Sequence, residues 1–199
     1  MNIKCCAVLA ACGILNLGFI ASAGAGTTMT TAEAVVPPMG FIGFCVKHSS
    51  ECLVTAADTT PMALTPERRA ELDRVQADIN WQIKPREDPT HAWHYAEDGY
   101  GDCNTYALTK RQALIALGWP EDTLLLAAAY DELGEGHLVL VARTNQGDFV
   151  LDNRLPPVVA WDALPYRWVA MQSPQSPARW VKVVGQPVML ATAEHHPHP

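Results

Sequence analysis

The spacing of hydrophobic residues changes at Gly118-Trp119-Pro120, and this change constrains the fold more than any other feature of the chain. Before it, apolar residues recur every three or four positions. After it, they come in short runs broken by turn residues. Upstream, Thr65 stands as an N-cap, Pro66 takes the first helical position and Glu67 lies in the first turn. Leu72, Val75, Ile79 and Ile83 then mark one apolar face, and Pro85 stops the helix. A second helix opens at Cys103 and carries Ala107, Leu108, Leu114, Ile115 and Leu117 on one side, with Lys110, Arg111 and Gln112 interleaved as polar residues. Gly118 and Pro120 end it. Downstream, residues 124–130, 137–143, 149–152, 158–161, 166–171 and 179–184 read as strands. Helices followed by an antiparallel meander predict an α+β domain, with N-terminal helices packed on an antiparallel sheet. With 199 residues, 49% hydrophobic and 18% charged, the chain suits one globular domain.

The ends of the chain have a different character. The opening, MNIKCCAVLAACGILNLGFIASAGAG, places Lys4 before an apolar run to Ile20 and a small-x-small triplet, Ala21-Ser22-Ala23. This is the pattern of a secretory signal peptide covering residues 1–23, which implies a periplasmic or secreted mature protein. A retained membrane anchor and lipoprotein processing at Cys12 are the competing readings. Residues 24–40 are small, polar and proline-containing, and are expected to form a flexible lead-in to a domain over 41–186. The tail, 187–199, ends in AEHHPHP. It is expected to be disordered, although its histidines could be read as a metal cluster. Loss of Lys4 with the signal leaves 13 basic against 21 acidic residues, a net charge of about −8. No basic run remains to bind nucleic acid or an anionic membrane surface, and no membrane insertion of the mature chain is expected.

Signal cleavage also changes the cysteine count, leaving Cys45, Cys52 and Cys103. In an oxidising compartment Cys45 and Cys52 are close enough in sequence to close a small disulfide loop. Two reduced buried cysteines, or pairing of Cys45 with Cys103, are the alternatives. With the first pairing, Cys103 is the odd thiol. It sits at a helix start, where unpaired backbone N–H groups favour thiolate over thiol and could also stabilise an oxyanion. If residues 144–147 form a hairpin loop, Arg143 pairs with Asp148, and counting outward sets Asp152 opposite Val139. His137 is then a diagonal neighbour of Asp152 on the same face, within reach of a hydrogen bond. Together the three residues fit nucleophilic catalysis: Cys103 attacks an acyl carbon, His137 moves the proton and Asp152 orients the imidazole. The aromatic and histidine-rich stretch 84–101 either lines a cleft or packs over the core.

Four runs, GDCNTYALTKR (101–111), Gly118-Trp119-Pro120, GEGHLVL (134–140) and GDFVLDN (147–153), resemble the bacterial transglutaminase-like cysteine proteinases. The flanks CVKHSSEC (45–52), LTPER (64–68) and YRW (166–168) resemble the same family, so the likeness covers residues 41 to 184. The resemblance implies a papain-like core of the transglutaminase type, with Cys103 as nucleophile, His137 as base and Asp152 as orienting residue. It implies a protein substrate, since characterised relatives include periplasmic proteases that clip surface adhesins and control biofilm attachment, and by analogy a regulatory membrane protein as partner. Relatives commonly carry Gly-Asp-Cys-Glu-Asp, and in the adhesin-cleaving members acids beside the nucleophile help to bind calcium. Here Asn104 and Thr105 replace two of those acids, leaving Asp102 as the one matched metal ligand, and calcium prefers several carboxylate oxygens. Asp102 reads equally as a helix N-cap. The function expected is hydrolysis of a peptide bond; transglutaminase-type acyl transfer to an amine, or a noncatalytic binding module on the same fold, are the alternatives.

Overall fold

Helix α2 (Pro66–Gln82) begins where its sequence signals place it: the Thr65 hydroxyl accepts from the Arg68 amide at 3.3 Å, and Pro66 occupies the first turn. The computed structural model describes residues 26–52 and 59–186. The expected signal peptide, the alternative lipoprotein site at Cys12 and the histidine-containing tail lie outside the described residues. Along the chain, β1 (Thr30–Val35) and α1 (Met39–Lys47) precede α2. A pair of two-residue strands, β2 (Lys84–Pro85) and β3 (Tyr100–Gly101), and α3 (Cys103–Ala116) follow. Then come β4 (Leu124–Tyr130), β5 (Gly136–Thr144), β6 (Gly147–Leu151), β7 (Val159–Ala160), β8 (Arg167–Ser173) and β9 (Ser176–Val184).

The α+β class holds, with three α-helices and an antiparallel sheet of seven strands among the described residues, in the order β1-β9-β8-β4-β5-β6-β7. This order is not the simple meander expected. β4 to β7 run as one, but β8 returns to the free edge of β4 and pairs Ala127 with Met171. Pairing on both sides buries β4 and β5 between two apolar clusters. Leu126, Leu138 and Leu140 contribute to one with α2 and α3, and Leu125, Val139 and Val141 to the other with Trp161 and Leu164. That two-sided burial is why these strands read as continuous apolar runs.

One further expectation is corrected. The lead-in 24–40 is not a flexible segment throughout: residues 30–35 form edge strand β1 on β9, and α1 starts at Met39. Strand pairing with a segment distant in sequence leaves no local signature, which explains the difference. Lys110 and Arg111, polar residues interleaved among the apolar ones of α3, are both buried. Arg111 donates to the Leu124 carbonyl at 3.1 Å and meets Glu121 at 3.2 Å and Glu51 at 3.7 Å, so its charge is compensated inside the fold.

Helix α1 is tied down by Phe41 and Phe44, both 2% exposed. The Phe41 ring lies 5.7 Å from Trp93 and 5.4 Å from Trp180, edge to face. Gly40 is required there, because a Cβ would lie 2.4 Å from the Trp93 ring and 2.8 Å from the His91 carbonyl. Cys45 at the end of α1 is bonded to Cys52, with Cα atoms 5.7 Å apart. Stretch 84–101 therefore does both things considered for it: Trp93 packs into the core while Arg86, Asp88 and His91 face a cleft.

Candidate active site

Cys103 is the first residue of α3 and the free cysteine among the described residues. The loop before it turns sharply: Gly99 has φ +78°, and a Cβ on Gly101 would fall 2.4 Å from the Thr105 side chain. The helix start is held by Asp102, whose Oδ1 accepts from the amides of Asn104 (3.0 Å) and Thr105 (3.2 Å). The Tyr106 amide donates to the Asp102 carbonyl at 3.1 Å. Of the four amides in this first turn, the Cys103 N–H is the one left for an incoming oxygen, among the described residues. The expected group of helix-start donors thus reduces to the nucleophile's own amide.

His137 and Asp152 come from the hairpin β5–β6. Arg143 pairs with Asp148 and Leu140 with Leu151, and Thr144 also pairs with Gly147, so the turn is tighter than expected while the parity is the same. The same count outward sets Asp152 opposite Val139, and His137 Nε2 lies 2.9 Å from Asp152 Oδ1. Both side chains are fully withdrawn from solvent. With Nε2 committed to Asp152, the imidazole has only Nδ1 left for Cys103, and Nδ1 is buried without a standard hydrogen-bond partner among the described residues.

The electrostatics follow from this enclosure. Burial by itself would lower the His137 pKa, but the hydrogen bond to Asp152, the interaction with Cys103 and their negative charges outweigh it and raise it to about 9. Burial conversely raises Asp152, but hydrogen bonds from His137, the Tyr166 hydroxyl and the Arg154 amide, with the imidazolium charge, bring it below the usual carboxylate range. Tyr166 donates to Asp152 Oδ2 at 2.6 Å, and its ring stands edge-on to His137 at 5.7 Å. The Arg154 amide donates to Asp152 Oδ1 at 2.8 Å, while its guanidinium pairs with Asp131 and reaches Glu135 at 3.6 Å. No sequence signal marks Arg154, and Tyr166 is marked only as part of the flank YRW.

Cys103, His137, Asp102 and Asn104 line a cleft of about 780 Å³ together with Arg86, Asp88, Glu135 and Arg154. Asp102, the matched metal ligand, is used differently. Besides the two amides on Oδ1, Asn104 Nδ2 donates to Oδ2 at 3.0 Å, so both carboxylate oxygens are engaged by their own helix. With no acid at positions 104 and 105, the site offers a cation one carboxylate, already engaged by its own helix, beside the neutral oxygens of an amide and a hydroxyl, a poor set for calcium. No cluster of three or more His, Cys, Asp or Glu residues able to hold a metal occurs among the described residues.

A family model described as bacterial transglutaminase-like cysteine proteinase matches residues 31–187. The chain belongs to that family. Among solved structures, calcium-bound LapG from Legionella pneumophila superposes with a TM-score of 0.52 at 23% identity, over 65% of this chain and 77% of LapG, and shares the fold. LapG also matches at 28% identity and a TM-score of 0.47, over 55% of this chain and 65% of LapG. Its EGTA-treated form matches at 25% identity and a TM-score of 0.47, over 55% and 64%. In these last two the match spans less than two-thirds of LapG's length. A search of curated proteins finds no match. Within the family frame, the papain-like core of transglutaminase type is the fold of this chain, and no helix among the described residues is long and apolar enough to cross a membrane.

Proposed function

We propose that this protein is an exported cysteine protease that hydrolyses a peptide bond in a protein substrate at the cell surface. The observation that carries the proposal is a free cysteine at a helix start that lines one cleft with His137 and interacts with it, His137 being hydrogen-bonded to the buried Asp152, in a chain of a cysteine proteinase family. Cys103 Sγ attacks the scissile carbonyl carbon, and the developing oxyanion meets the Cys103 amide. His137 passes its Nδ1 proton to the leaving amine, giving a thioester. A water molecule, deprotonated by the same nitrogen, then attacks the thioester and releases the acid. Asp152 holds Nε2 throughout and stabilises the imidazolium. Because Asp102 serves its own helix, the reaction runs without calcium.

The test is Cys103→Ala, checked for unchanged thermal unfolding, with the cell-envelope proteome compared against the wild type. At least one envelope protein is expected to accumulate uncleaved, and cleavage of that protein by the purified wild type is expected to persist in excess EGTA. Identical envelope proteomes would overturn the protease assignment. Loss of cleavage in EGTA would overturn calcium independence alone.

A further inference from the structure

Lys110 is fully buried, two turns along α3 from Cys103, and the reaction described above makes no use of it. A lysine rarely enters a core without a partner for its ammonium. Here Nζ donates to Gln76 Oε1 on α2 at 2.8 Å, with the Tyr106 ring 5.8 Å away and Asp152 as the carboxylate it senses. Gln76 is itself fully buried. Its Nε2 donates to two backbone carbonyls of the turn after β6, Asp152 at 2.7 Å and Leu155 at 2.6 Å. Asn80, one helical turn further, donates to the same carbonyls at 3.2 and 3.1 Å.

We propose that Lys110 is a positioning residue for the active site: its ammonium fixes the Gln76 amide, and that amide holds the backbone on which Asp152, and through it His137, is set. The inference rests on the Cys103–His137–Asp152 assignment. The nucleophile comes from a helix and the His–Asp pair from a hairpin, so their relative placement needs a link between layers. Lys110 supplies it because it rides on the nucleophile's own helix. A Gln amide has one oxygen and two N–H donors, and both donors are used on the turn, so the oxygen needs a donor from elsewhere in the core. An apolar residue at 110 would leave that oxygen unpaired and remove the reason for the amide to keep its orientation. Burial moves the Lys110 pKa down to about 7, and the nearby Asp152 opposes that shift, as expected for an ammonium kept in the core by its contacts.

The test needs no substrate. The rate of iodoacetamide alkylation of Cys103 is measured on the folded chain between pH 5 and 9. Fast alkylation of the wild type at pH 6 reports a thiolate paired with imidazolium; ordinary thiol behaviour there would sink the protease reading itself. Given the fast wild type, Lys110→Met is expected to slow alkylation at pH 6 about tenfold, and to add nothing when combined with Asp152→Ala. A wild-type rate in Lys110→Met, even with a lowered melting temperature, overturns the proposal, as does an undiminished effect in the Asp152→Ala background. If Lys110→Met does not fold, Gln76→Met breaks the same contact from the other end, and its alkylation rate at pH 6 decides by the same criteria.

Discussion

At the scale of single residues, the buried His137 side chain is set between an anion, Asp152, and a sulfur, Cys103. An imidazole with an ordinary pKa of 6.5 that is raised to about 9 in the folded protein binds its proton more tightly folded than unfolded. The stability contributed by this pairing is therefore fully present below pH 6.5 and is lost as pH rises through about 9. Asp152→Asn removes the charge that offsets burial, so the His137 titration, followed by NMR of the imidazole, is expected to move down by more than one pH unit. Hydrolysis should fall on the order of a hundredfold or more, since the wrong imidazole tautomer is then stabilised. A titration still near 9 in that variant would mean that Cys103 alone sustains the imidazolium. The His137–Asp152 pairing was legible in the sequence because it follows from counting along one hairpin. Tyr166, Gln76 and Lys110 were not, since each reaches the site from another element, and a Lys and a Gln within helical patterns look like residues of a solvated face.

At the scale of elements, α2 and α3 could be read from caps and periodicity because those signals are local. Strand β1 and the return of β8 to β4 depend on contacts far apart in sequence and have no such signature. The same distinction separates the roles of the core and the disulfide in fixing α1. Phe41 and Phe44 set its position by burial, whereas Cys45–Cys52 closes a loop with a separation of seven residues and restricts mainly the unfolded chain. Replacing both cysteines by alanine is thus expected to lower unfolding free energy by about 2–3 kcal/mol in urea titrations. Cys103 alkylation per folded molecule should be unchanged, because the packing of α1 beside the cleft remains. A slowed alkylation would show that the disulfide, and not the aromatic cluster, shapes that wall.

At the scale of the whole molecule, the first described residues reveal how the sheet is closed. The Thr27 carbonyl accepts from the Asp148 amide at 3.1 Å and from Trp161 Nε1 at 2.9 Å, and the Met29 amide donates to Asp148 Oδ2 at 2.8 Å. These contacts lie on β6 and beside β7, at one edge of the sheet. Immediately afterwards Thr30 pairs with Val184 of β9, next to the opposite edge. One residue of chain spans only about 3.8 Å, so the sheet must curl until its two ends nearly meet, with residues 26–30 as the seam. Asp148 stands at that seam, 1% exposed, and burial raises its pKa to about 6 although the Met29 amide and the Arg143 charge oppose the shift. The folded state thus holds a proton there that the unfolded state releases near pH 3.8, so stability declines as pH rises between about 4 and 6 and stays reduced above. Asp148→Asn keeps an oxygen for the Met29 amide and removes the buried charge. At pH 8 it is expected to stabilise the protein on the order of 2 kcal/mol, a rise in melting temperature of roughly 4–8 °C. Near pH 4, where the aspartic acid is already protonated, the two proteins should melt together. A gain of equal size at both pH values would trace the effect to packing, and a loss at pH 8 would show that the Asp148 charge, through Arg143, is what holds the seam.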